Sequence, residues 1–198
     1  MKIFNLRTVR WLALPTTAVI TALVAVPSRA DHAECKLVLN QPSIEYGQLT
    51  RGQLLDYASA SGEASLDPRF ITLTATCGKP ASMSLFLRSA AADTERFRFA
   101  EHGSYTVRLS EARLDGQPVH LSEVSAGGPG PLIVSRSETT LQLKPGFGAA
   151  LTALDGQPAV GSHLTARVEV QTRIPVEATR VSGMQRWQGR GTFELITR

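Results

Sequence analysis

Four histidines and two cysteines are the residues of widest chemical range in this chain: His32, His102, His120, His163, Cys35 and Cys77. Metal centres need such ligands at short, defined spacings, such as i and i+4 on a helix or a Cys-x-x-Cys pair. None of these six is so spaced, and each histidine reads as a surface residue. One exception is conditional: if Ala30 began the processed chain, His32 would stand third and chelate copper through the amine and backbone nitrogens. No Gly-x-Ser-x-Gly elbow is present. "AGGPGP" at 126–131 lacks the Gly-Lys-Ser/Thr ending of a phosphate loop and reads as a flexible connection. Glu63, Asp67, Asp93 and Glu95 stand among loop residues, where solvation accounts for them. Trp187, in "MQRWQGR", either packs on the core or lines a sugar site. These residues assign no catalytic group, no metal and no cofactor.

The N-terminal segment sets the compartment. Lys2, Arg7 and Arg10 precede an apolar run from Trp11 to Val26, and "PSRA" follows with small residues Ser28 and Ala30 at the −3 and −1 positions. That order is a secretory signal peptide over 1–30, with residues 31–198 as the exported domain; an uncleaved anchor is the alternative. No later stretch is apolar enough to span a bilayer. The whole chain carries 21 basic and 17 acidic residues. Residues 1–30 hold four of the basic ones and no acidic one, leaving 17 of each sign in the exported part. A net charge of zero gives no reason to expect nucleic acid as a partner.

An exported chain with two cysteines is expected to pair them, two buried free thiols being the alternative. A bond between Cys35 and Cys77 closes a loop of about 43 residues, a constraint on the order of 4 kcal/mol. The local pattern agrees. In "CKLVL", Cys35, Leu37 and Leu39 share a face; in "FITLTATC", Ile71, Leu73, Ala75 and Cys77 do. Both thiols therefore point to the apolar side of a strand.

The same period of two recurs in "SMSLFL", "YTVRL", "TLQL", "LTARVEVQ" and "TFEL". Asp115-Gly116 and Asp155-Gly156 are hairpin dipeptides, standing in the near-copies "LDGQPV" and "LDGQPAV", and read as two similar turns. "LTRGQLLDYA" holds a helical turn after Thr50. Eight or nine short strands with little helix predict an all-β fold, an antiparallel sandwich in one domain over 31–198.

"CKLVLNQPSIEYGQL" at 35–49, followed about 40 residues after its cysteine by "LTATCGKPASMSL" at 73–85, resembles the start of a chaperone–usher fimbrial subunit. It is similar, more closely, to a little-characterised group of exported fimbria-associated proteins. Cys35, Tyr46-Gly47 and Cys77 match the family's first-strand cysteine, aromatic-glycine pair and second-strand cysteine, and "GTFELITR" suits its final strand. The resemblance implies an antiparallel immunoglobulin-like (pilin-like) sandwich lacking its last strand, bonded between Cys35 and Cys77. It implies a non-catalytic structural or accessory role at the periplasm or cell surface. The partners it implies are a fimbrial chaperone, an usher and other pilus subunits, met by strand addition. A strand-exchange groove would be flanked by Leu37, Leu39, Phe193 and Leu195, with Phe193 and Leu195 against Leu37 or Leu39 and Glu194 outside.

Two departures qualify the role. Only Asp31–Glu34 precede Cys35 after cleavage, where a polymerising subunit has a longer alternating donor segment. The chain closes on Ile196-Thr197-Arg198 without the penultimate aromatic of the family. The expectation is a subunit that does not polymerise by itself. It either completes its own sandwich with a strand from 90–160 or accepts a partner's strand without passing one on. A ligand- or glycan-binding module on a closed sandwich is the alternative.

Overall fold

Residues 69–88 alternate apolar and polar almost without a break, and they form one strand of 20 residues. The computed structural model describes residues 34–125, 132–133 and 137–198. The leader expected at 1–30, His32 and the glycine-rich connection at 126–131 lie outside them. In chain order the strands are β1 (Cys35–Leu39), β2 (Glu63–Ser65), β3 (Arg69–Arg88), β4 (Phe97–Phe99), β5 (Gly103–Leu114) and β6 (Gln117–Pro118). There follow β7 (His120–Ser125), β8 (Leu132–Ile133), β9 (Thr140–Leu143), β10 (Phe147–Thr152), β11 (Val160–Pro175) and β12 (Thr192–Thr197). A single helix turn, α1 (Arg51–Asp56), lies between β1 and β2, and a short 3-10 turn covers Val176–Thr179. Thr50 caps α1 and exchanges bonds with Gln53 in a capping box, so the helical turn expected after Thr50 is present.

All strand pairs are antiparallel, and they form two sheets that share β3. The first half of β3 pairs with β1 and β11, and β11 pairs onward with β5. The second half pairs with β12 and β10, and β10 pairs onward with β7. The chain is therefore an all-β antiparallel sandwich carrying one disulfide, Cys35–Cys77. Leu73, Leu109, Leu164 and Val168 of one sheet, and Leu85, Leu121 and Leu151 of the other, fill the space between and are almost fully covered.

The expectation of eight or nine short strands is corrected on two points. The described residues hold twelve strands, and three of them, β3, β5 and β11, have 12 to 20 residues. "FITLTATC" and "SMSLFL", read as two alternating stretches, are one strand. Gly78-Lys79-Pro80 lie between the part of β3 that pairs with β1 and the part that pairs with β12.

One side of the sandwich is closed. Glu138 exchanges backbone hydrogen bonds of 2.7 and 2.8 Å with Leu121 of β7, and β9, two residues later, pairs with β5. Residues 138–143 thus join the second sheet to the first on the side away from β3. Among the described residues the strands of 90–160 pair with one another and with β3 and β11, and none pairs with β1 or β12.

The two near-copies make different turns. Asp115 (φ 50°) and Gly116 (φ 81°) both take the left-handed region, as a two-residue type I′ hairpin requires. In the second copy only Gly156 does (φ 83°), and the loop closes instead through Ala153 N–H to Gln157 O at 2.8 Å. Leu114 is buried before the first turn, whereas Leu154 is exposed before the second.

Candidate functional site: two strands on one edge of β3

Because β1 and β11 pair with the same residues of β3, they occupy opposite edges of it; so do β12 and β10. Ser82 pairs with both Arg198 and Val160, which puts β12 opposite β11 as well. Hence β1 and β12 share one edge of β3. They run in the same direction, β12 along Arg88–Met83 and β1 along Cys77–Leu73.

Backbone bonds fix which groups face outward. Gly78 N–H donates to Glu34 O at 3.1 Å, and Asn40 N–H to Thr72 O at 3.0 Å. By alternation, Lys36 and Val38 turn their backbone groups toward β3, and Cys35, Leu37 and Leu39 turn theirs away. Ser82 and Arg198 exchange bonds of 2.9 and 3.1 Å. Glu194 and Ile196 therefore face β3, and Phe193, Leu195 and Thr197 face the outer edge. Among the described residues neither outer edge has a strand partner. Between Arg198 and Glu34 the edge of β3 runs through Lys79, Pro80 and Ala81. The one backbone turned into that interval is Pro80, which has no N–H to leave unsatisfied.

Leu37, Leu39, Phe193 and Leu195 all pack against the main core, and all four are only partly buried. Their side chains face the space between the sheets while their backbone groups face outward. Phe193 and Leu195 stand beside Leu87 and Leu85 of β3, in register, rather than paired with β1. Glu194 lies outside, where its carboxylate accepts from Arg88 Nε at 2.6 Å. Both members of that ion pair are about half exposed, which limits its worth to under about 1 kcal/mol.

The path into β12 is held by close packing. Gly189 and Gly191 leave no room for a side chain: a Cβ would come within 2.8 Å of the Phe99 ring and 2.9 Å of Leu87 respectively. The Tyr105 hydroxyl donates to Ser89 at 2.8 Å and lies 3.3 Å from Arg190 O, and burial pushes its pKa up. Trp187 is partly buried with Leu54, Leu66 and Ile174, 6.3 Å from the Phe99 ring. It packs on a second small core rather than standing over an open cleft.

The other chemically capable residues are tied into the scaffold. Glu63 and Asp93 converge on Arg96, at 3.0 and 2.7 Å. The backbone N–H of Glu95, with the Arg96 guanidinium behind it, holds Asp93 below the usual carboxylate value. Glu95 pairs with Lys144, which also meets Glu123 and titrates above an ordinary lysine because of Glu95 first. Asp67 accepts from the Tyr57 hydroxyl at 3.4 Å. His163 hydrogen-bonds Thr76, and His102 lies beside Glu101. Among the described residues no three His, Cys, Asp or Glu side chains are placed to hold a metal ion. No helix there is long and apolar enough to cross a membrane.

A paired substitution tests whether β12 is held by its inward face. Leu195→Asp puts a carboxylate against the core and should cost about 2–3 kcal/mol. Glu194→Lys, which sets a cation beside Arg88, should cost under about 1 kcal/mol. Urea unfolding of both variants measures the difference; equal, small losses would mean that β12 is a loosely attached tail.

No family model matches the chain, and no curated protein matches it. Among solved structures, the crystal structure of the P pilus rod subunit PapA aligns with 84% of this chain and 100% of its own, at 10% identity and a TM-score of 0.40.

Proposed function

We propose that this protein is a non-catalytic structural or accessory subunit of a bacterial fimbria, exported to the periplasm or cell surface, that accepts a strand from a partner along β1 and β12. The observation that carries the reading is the state of Leu37, Leu39, Phe193 and Leu195. Four apolar side chains face the core yet stay partly uncovered, on two strands whose outer edges have no partner among the described residues. An exposed edge with half-covered apolar side chains invites strand addition. The cysteine and Tyr46-Gly47 pattern of the first 55 or so exported residues supports the same reading. A fimbrial chaperone, an usher and other pilus subunits are the partners it implies.

The donor half of the exchange is wanting, since Asp-His-Ala-Glu cannot fill successive apolar sites. The exported protein alone should therefore run as a monomer on sizing chromatography. An alternating apolar peptide, patterned after a pilus subunit's N-terminal extension, should stabilise it by mass action. At a hundredfold excess over Kd the gain is about 2.7 kcal/mol, or roughly 5–10 °C in Tm for a domain of this size. SDS-resistant ladders from the protein by itself would sink the non-polymerising role. A Tm indifferent to such peptides in every register would sink strand acceptance.

A further inference from the structure

Leu37 and Leu39 face the core, so the residues that alternate with them form the outer surface of the sheet at its edge. These are Glu34, just before β1, and Lys36 and Val38 within it; all three are exposed. The sheet itself gives the two charges no counterpart. Across β3 and β11, Lys36 is followed by Thr76 and His163, and Val38 by Thr74 and Thr165. Among the described residues neither Glu34 nor Lys36 forms an ion pair, with each other or with a third group. Other acids on this surface and at its margin are engaged. Glu111 meets Arg167 at 3.0 Å, Glu169 lies 3.9 Å from Arg108, and Asp115 accepts from the backbone N–H of Ser162 and His163 at 3.2 and 2.8 Å.

Backbone pairing makes these positions effective. Glu34, Lys36 and Val38 turn their backbone groups toward β3. On the free edge they therefore occupy the stations where an antiparallel neighbour makes no backbone bond. There opposed Cα atoms approach to about 4.5 Å, and side chains meet most closely. On β12 the corresponding charge, Glu194, is already held by Arg88 at 2.6 Å. Discrimination between added strands by charge thus belongs to β1.

We infer that the donor strand accepted on β1 pairs antiparallel, as every strand pair here does, and carries a charge code on its outer face. From its N-terminus, successive alternate positions hold an apolar residue, an acid and a base, opposite Val38, Lys36 and Glu34. The inference rests on strand acceptance along β1 and adds the chemistry of the donor. Inward positions, all apolar, would differ little from one donor to another. A like charge set opposite Lys36 or Glu34 is repelled at the shortest cross-strand distance, so the outer face turns wrong strands away.

Two peptides of one composition test this. Their inward residues are the same alternating apolar set; the outward triplet reads Val, Glu, Lys in one and Val, Lys, Glu in the other. Equal composition and net charge cancel any attraction to the protein as a whole. Fluorescence anisotropy should show the first bound roughly tenfold more tightly. Salt at about 0.5 M should shrink that ratio. In the double variant Glu34→Lys, Lys36→Glu the preference should invert. Its urea midpoint should match the wild type, since both side chains are exposed. Equal binding of the two peptides to the wild type, or a preference that the double variant leaves in place, would overturn the inference and leave strand acceptance standing. Binding of neither peptide would sink strand acceptance, and this inference with it.

Discussion

Replacing Cys35 and Cys77 together by serine is expected to lower the stability of the protein by about 4 kcal/mol, a large share of the roughly 5–15 kcal/mol typical of a domain. The bond spans 42 positions of sequence, so its loss frees a long loop in the unfolded chain. It also acts locally. Cys35 and Cys77 face each other with Cα atoms 4.0 Å apart, at a station of the β1–β3 ladder where the backbones do not bond directly. Strand β1 has five residues and, among the described residues, one paired edge. Without the bond its hold is that short ladder and the partial burial of Leu37 and Leu39. Urea unfolding should give the loss, and hydrogen exchange at Lys36 and Val38 should quicken more than at Thr106 or Arg108 in the middle of the sheet. Thiol titration of the denatured, unreduced wild-type protein should find no free thiol. Two free thiols, or an unchanged unfolding midpoint, would refute this account of β1.

Phe86→Ala should cost about 3–5 kcal/mol, although Phe86 lies on the face of the second sheet turned away from the main core. It is 1% exposed and packs with Val124, Ala150 and Ile196. Its cross-strand neighbour is Gly148, whose missing side chain leaves the space that the ring occupies: a Cβ there would stand 2.6 Å from Phe86 Cδ1 and 2.5 Å from the Leu85 carbonyl oxygen. Gly148→Ala should therefore destabilise by about 1–3 kcal/mol through overpacking. The two changes share one contact, so the double variant should lose less than the sum, by roughly 1 kcal/mol. The Leu85 carbonyl keeps the rescue partial. A double-mutant cycle in urea measures it, and strict additivity would show that the ring does not depend on the glycine.

Phe86 also marks where sequence reasoning stopped. Period-two alternation placed "FITLTATC", "YTVRL" and "LTARVEVQ" in strands, because one face of each meets the core and the other meets solvent. It also put both cysteines on the apolar side, where they bond. In "SMSLFL" the same rule assigned Phe86 to the outside, where it is nonetheless buried, since the outer face of the second sheet carries a small apolar cluster of its own. Alternation shows which face a residue takes and is silent about the neighbour. Nothing in "TFEL" distinguishes β1 from β3 as its partner. Gly78-Lys79-Pro80 has the composition of a turn, and whether such residues end a strand or bend it depends on the sheets that the strand joins. Alternation put Leu37, Leu39, Phe193 and Leu195 on the apolar faces of their strands, where they pack against the core; their shared alignment along β3 was not legible, because it is a property of long-range pairing.

That alignment makes the order of the strands circular. Arg198 stands opposite Ser82 and Glu34 opposite Gly78, in line and pointing the same way. A peptide of about three residues joining them would follow the edge of β3 past Lys79, Pro80 and Ala81, and β12 and β1 would become one strand. The topology is then a ring of elements with no privileged place to cut. What defines this edge is the pairing of both strands with β3, and it would persist in a permuted chain opened elsewhere, for instance in the exposed stretch 180–186.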